Sequence, residues 1–177
     1  MRGKLHRLPW PPLAIGLLAL GLRLVYLGEV ASSPLFAVPV VDAHTYVEEA
    51  RYLSQVSWAG QAAPFWQPPL YPYLLALLFS LFGENYWVPR LLQAVLGALV
   101  CAFTYLIGRG LFSPGVALVA GLAAALYSPL IYFGGELLPV VLALFLDLLL
   151  LLVLLCGPGR GGWFGAGLLL GLGALAV

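Results

Sequence analysis

Four apolar stretches, at about 8–27, 88–107, 114–133 and 137–156, each supply about 20 consecutive residues, enough for a helix to cross a hydrocarbon core. Backbone in lipid has to satisfy its own hydrogen bonds, so such runs fold as helices packed side by side. The expected class is therefore all-α: a polytopic transmembrane helix bundle. A fifth run starts at Trp163 and is still apolar at Val177. A helix that stopped in mid-membrane would leave carbonyls unsatisfied, so 1–177 reads as the N-terminal transmembrane portion of a longer protein. Composition points the same way: 8% of residues are charged, against about 25% in soluble domains. Eight Lys and Arg offset seven Asp and Glu, which leaves no basic stripe for nucleic acid.

A shorter run follows the stretch "FWQPPLYPYLLALLF" at 65–79. From Leu70 to Phe82 it offers about 13 residues, roughly 20 Å of helix, too short for a full crossing. The expectation is a helix at the outer interface. Residues 28–87 then form one external loop, with the short link 134–136 on the same side. Charge supports this arrangement. With Met1 cytoplasmic, Arg2, Lys4, Arg7, Arg109 and Arg160 fall inside, and Arg23, Arg51 and Arg90 outside. The basic start and "EVASSP" resemble a secretory signal with its cleavage site. The first apolar run is longer than such signals usually carry, which favours an uncleaved helix.

This topology puts Asp42, Arg90 and Glu136 on one face of the membrane. In "VVDAHTYVEEARYL", Asp42, Tyr46 and Ala50 recur at four-residue spacing and share a helix face. Asp42 near the helix start also suits a simple cap. His44 lies off that face and, as a metal ligand, lacks a second histidine nearby. The two prolines after Gln67 hold it extended and pre-set the first helical turn. Phe65, Trp66, Tyr71 and Tyr73 suit the headgroup level. Arg90 opens a span, where it can snorkel or grip a phosphate through paired donors, and Arg23 has the same two readings. Glu136 follows a glycine pair and is either a surface group or part of a polar cleft. Asp147, in the middle of "ALFLDLLLLL", has to be protonated, paired or facing a cavity. Cys101 and Cys156 read as buried spacers. Gly161 and Gly165, then Gly167 and Gly171, repeat at a spacing that permits close helix contact.

"LRLVYL", Asp42-x-x-x-Tyr46-x-x-x-Ala50, "PPLYPYLLAL", "VPRLLQAVLG" and "GGELL" occur in the order found in the polyprenyl-phosphate-sugar membrane glycosyltransferases. The chain resembles the front of these GT-C enzymes, which include the protein O-mannosyltransferases and the lipid A aminoarabinose transferase. The resemblance implies interfacial helices in the first external loop, a polyprenyl-phosphate-sugar donor, a site at the outer face of the cell membrane, and further spans or a further domain beyond these. It implies Asp42 as the catalytic carboxylate, Arg90 beside the donor phosphate, and Glu136 at the border of the active site. Tyr46, Gln67 and Arg23 are the remaining candidates for substrate binding. Relatives often carry Lys or His where this chain has Gln67, so a cation for the phosphate is missing there. "DA" at 42–43 lacks the second acidic residue common in mannosyltransferases, which points away from that branch. A divalent ion is a possible cofactor, with Asp42, Glu136 or His44 as ligands. The acceptor is not readable.

Two other classes use similar features. A transporter or lipid flippase would place essential acids such as Asp147 near the bilayer midplane. A structural membrane subunit would use these residues only for packing and anchoring.

Overall fold

The computed structural model describes residues 10–60, 65–157 and 159–177. Arg2, Lys4 and Arg7, which weigh most in the charge argument, lie outside them, as does the side chain of Arg160. The described residues form helices joined by short links, with no strand among them. The protein is an all-α membrane helix bundle.

The bundle is built on α1 (Trp10–Val30) and α5 (Trp87–Leu111), both long and apolar enough to cross a membrane. They pack against each other, and α6 (Pro114–Leu126) closes the group around Ile15, Ala19, Ala98, Cys101, Tyr105 and Ala117. Ser113 starts α6 by accepting from the Val116 N–H, with Pro114 in the first turn, where no amide hydrogen is needed. The apolar run at 114–133 is not one straight helix. It breaks at Tyr127, and α7 (Ser128–Gly135) leaves at 46°. Pro129 is the physical reason, since its ring removes one helical hydrogen bond and crowds the carbonyl four residues back.

After Pro139, α8 (Val140–Leu155) packs on α5 and on α9 (Arg160–Ala174). It has 16 residues, about 24 Å of helix, against a core of about 30 Å. Helix α9 closes at Ala174, and the Leu175 carbonyl accepts from the Leu70 N–H at 3.0 Å. Cys101 is buried, whereas Cys156 is exposed.

The segment between α1 and α5 carries a short turn, α2 (Pro34–Ala37), and two helices, α3 (Asp42–Gln55) and α4 (Leu70–Phe82). Helix α4 keeps its expected bounds, Leu70 to Phe82. Its face of Tyr71, Leu75, Ala76 and Phe79 packs on Ala43, Tyr46, Val47, Ala50 and Leu53 of α3. This two-helix layer receives Leu137, the residue after Glu136, as a fully buried plug. Outside the layer, Arg51 joins Glu84 through two guanidinium nitrogens, at 3.0 and 2.5 Å, and also meets Glu48. The Arg51–Glu84 pair ties the α4–α5 link to α3, and within that link Tyr86 donates to Glu84 at 2.7 Å.

Candidate functional site

The polar side chains gather where α5 begins, α7 ends and the α3–α4 layer docks. Helix α7 presents its terminal carbonyls in a place with little water, and orphaned carbonyls at a helix end need donors. Two buried α5 side chains, one helical turn apart, supply them. Arg90, 3% exposed, donates from Nε to the Gly135 carbonyl at 2.8 Å. Gln93, 2% exposed, donates from Nε2 to the carbonyls of Gly134 at 3.3 Å and Glu136 at 2.7 Å. Residue 135, with no side chain, lets α7 sit against Tyr26 and Leu27 of α1. A Cβ there would sit 2.6 Å from the Tyr26 ring.

Arg90 also reaches the first loop. Its Nη1 donates to the Phe36 carbonyl at 2.9 Å, and its guanidinium lies 3.9 Å from the centre of the Phe36 ring. Phe36 in turn packs against Trp87, ring centres 4.8 Å apart. Arg90 is thus held rather than snorkelling, and of its three nitrogens only Nη2 has no protein partner among the described residues. The Glu136 carboxylate lies within electrostatic reach of Arg90, Tyr26 and Tyr71. It is partly buried and accepts no hydrogen bond from the described residues.

Tyr71 links this cluster to α3. Its hydroxyl donates to Gln93 Oε1 at 2.5 Å, and its ring meets Tyr46 edge-on, 5.2 Å between centres. It is therefore a buried member of the cluster and not a headgroup anchor. Burial first, then the nearby Asp42 and Glu49 charges, push the Tyr46 hydroxyl upward and keep it protonated. Asp42 itself is exposed in the first turn of α3, with no hydrogen-bond partner among the described residues. It does not cap the helix. The residue before it, Val41, takes φ 53°, the one positive value among described residues other than glycine, and β-branched side chains rarely tolerate that conformation.

The other candidates are more scattered. Arg23, 2% exposed, lies inside the bundle, donating from Nη1 to the Ala19 carbonyl at 3.0 Å and weakly from Nη2 to Cys101 Sγ at 3.8 Å. Its Nε is buried without a partner beside Gly97, where a Cβ would come within 2.5 Å. Gln67 buries an unpartnered Oε1. Glu49, which the sequence reading left out of the site, accepts from the Trp66 N–H and buries an unpartnered Oε2. Burial raises its pKa above the ordinary carboxylate value, against the opposing Trp66 hydrogen bond. His44 is exposed and pairs with Glu48 at 3.8 Å. Asp147 is exposed on α8, its Oδ1 3.6 Å from where a Gly173 side chain would begin.

Residues 66–176, more than half of the chain, match the family described as dolichyl-phosphate-mannose-protein mannosyltransferase. The chain belongs to that family. The matched part contains Gln67, Arg90 and Glu136, together with the Tyr71 and Gln93 that join them, and it is the part that forms α4 to α9. Asp42, Tyr46 and Arg23 lie before it, so the unpaired acidic position at 42–43 falls outside the mannosyltransferase match. No curated protein and no solved structure matches the chain. Membership makes this a membrane glycosyltransferase-like protein. No three His, Cys, Asp or Glu among the described residues come together to hold a metal ion. Asp42, Glu136 and His44 do not make a binding set by themselves.

Proposed function

We propose that the protein transfers a sugar from a polyprenyl-phosphate-linked donor to an acceptor hydroxyl at the outer face of the membrane, in one inverting displacement. The observation that carries this reading is the family match over the segment in which Arg90 and Glu136 are drawn together. Asp42 is the general base. Its exposed carboxylate takes the acceptor's hydroxyl proton as the acceptor oxygen attacks the anomeric carbon. The bond from that carbon to the phosphate oxygen breaks, and the electron pair leaves on the polyprenyl phosphate. Arg90 faces that charge with Nη2, the nitrogen not engaged by backbone. Glu136 borders the sugar, while Tyr46 and Gln67 line its approach. Arg23, a fixed buried cation behind the cluster, adds positive potential near the phosphate. No step runs through a metal, since the donor set does not fit one.

The proposed orientation has Met1 cytoplasmic and the α2–α4 segment outside, so the lipid tail lies along the bundle while the sugar stays at the surface. Mixing membranes that contain the protein with labelled dolichyl-phosphate-mannose tests the reading. Protein-dependent loss of label from the lipid phase is expected. No loss from this donor or from other polyprenyl-phosphate sugars, with the protein folded, would remove the transferase assignment and favour transport, which label appearing across sealed vesicles would reveal.

A further inference from the structure

We infer that Gln93 is a positioning residue for Glu136, acting from a membrane span through the backbone of the α7–α8 link. The inference rests on the reading that Glu136 borders the reacting sugar. The shorter of the two bonds from Gln93 Nε2, 2.7 Å, goes to the carbonyl of Glu136 itself, which lies beyond the last residue of α7. Glu136 is the residue that caps α7, and its carbonyl also accepts from the Leu138 N–H at 2.9 Å, so it would keep a donor without Gln93. Arg90 already serves the Gly135 carbonyl between the two that Gln93 takes, so three consecutive carbonyls are held from α5.

Tyr71 decides which way the amide faces. A phenol hydroxyl that donates to Gln93 needs the amide oxygen toward it, which turns the NH₂ group to the link. On the other side of Glu136, Leu137 is locked into the α3–α4 layer with no exposed surface. The Glu136 backbone is thus fixed from below by Gln93 and from the side by Leu137, while its carboxylate makes no hydrogen bond. Only the side-chain torsions remain free to meet a substrate. Such pre-placement matters because displacement by about 1 Å can cost on the order of 100-fold in rate.

The test uses Gln93→Leu, Tyr71→Phe and Glu136→Gln, singly and combined, in the membrane-embedded protein. Two readouts are needed: cleavage of labelled dolichyl-phosphate-mannose, and amide hydrogen exchange at 136–138. Gln93→Leu should speed exchange at 136–138 by about tenfold or more while the α1 and α6 amides stay as they were. It should lower cleavage by roughly 10- to 100-fold, and Tyr71→Phe by a few-fold. Both losses should vanish in the Glu136→Gln background, because a residue that works through Glu136 has nothing left to position. Additive losses, or unchanged exchange, would overturn the inference while leaving the function intact. A Glu136→Gln protein as active as wild type would instead remove Glu136 from the site, and the inference with it. If Gln93→Leu does not fold, Tyr71→Phe carries both readouts, since it keeps the amide and its size.

Discussion

Arg90 and Phe36 hold each other twice, through a 2.9 Å hydrogen bond from Nη1 to the Phe36 carbonyl and through the guanidinium seated on the Phe36 ring. The residue that opens the second long span is therefore also the anchor of the first external turn. Ser33 starts that turn by accepting from the Leu35 N–H, but four residues of helix have little stability of their own. Without the arginine, α2 would keep only the packing of Phe36 on Leu27, Ala94 and Trp87.

Arg90→Lys should accordingly destabilise the protein even without donor. An ammonium cannot reach the Phe36 and Gly135 carbonyls in the paired geometry of a guanidinium. Hydrogen bonds from charged groups contribute about 1.5–3 kcal/mol each, so a loss of roughly that size is expected in detergent unfolding. Donor affinity should fall as well. Weaker donor binding at unchanged stability would mean that Arg90 is a ligand for phosphate and not an anchor.

Val41 raises a different question, because a β-branched residue at φ 53° stores strain immediately before Asp42. Its side chain is 80% exposed, so truncation removes little burial. Val41→Gly should leave stability unchanged or slightly raised, as the relief of strain offsets a flexibility cost of about 0.5–1 kcal/mol. If the strain aims Asp42, sugar transfer should drop at constant stability. A clear fall in melting temperature would show that the conformation is not strained.

Much of the fold follows from local rules. The bounds of α4 are set by Pro68–Pro69 and Gly83, and the start of α6 by Ser113–Pro114. The α6–α7 break was hidden because hydropathy over 114–133 is uninterrupted, although Ser128–Pro129 is a helix-start signal inside the run. The site was less legible for a physical reason. Tyr71 and Gln93 pair across two helices, and no spacing rule reports a contact between residues 22 positions apart. Tyr71 has the composition of an interfacial anchor and the environment of a core residue. Arg23 and Arg90, counted as outer-side charges, are both buried in the bundle, so they say less about orientation than loop charges would.

Orientation can be read directly. With Cys156, the exposed native cysteine, replaced by serine, single cysteines at 84, 109 and 136 should divide by side. An impermeant thiol reagent applied from outside should label 84 and, more slowly, the partly buried 136, but not 109. Strong outside labelling at 109 with none at 136 would invert the proposed topology.

Glu49 gives a pH signature. Its folded-state pKa is raised, chiefly by burial, so the folded protein holds the proton more tightly than the unfolded chain does. The stabilising contribution is complete below the unfolded value, about 4.3, and is lost as pH rises through the folded value. Glu84 works in the opposite sense. The Arg51 hydrogen bond lowers it, so its contribution is present above the unfolded value and lost as pH falls. Glu49→Gln should therefore raise stability at neutral pH relative to wild type and remove the decline above about pH 4. Melting curves between pH 4 and 8 would show it, and a variant that is less stable at pH 7 would contradict it.

Asp42 is the carboxylate on which the proposed chemistry depends, and its surroundings make it an unusually clean target. It is exposed, hydrogen-bonds nothing among the described residues and caps no amide. Asp42→Asn keeps the shape and should leave melting within about 0.5 kcal/mol of wild type, as for most surface changes. What it removes is the proton acceptor, and a general base typically contributes about 10²- to 10⁴-fold in rate. Single-turnover cleavage of dolichyl-phosphate-mannose should fall by that factor, while donor affinity, set on the Arg90 side, should change little. Because Tyr46 lies between Asp42 and Tyr71, Tyr46→Phe separates its hydroxyl from its ring contact, and its loss in rate should be smaller than that of Asp42→Asn. A fully active Asp42→Asn protein would move the general-base role to Glu136, and Glu136→Gln should then show the loss that Asp42→Asn did not.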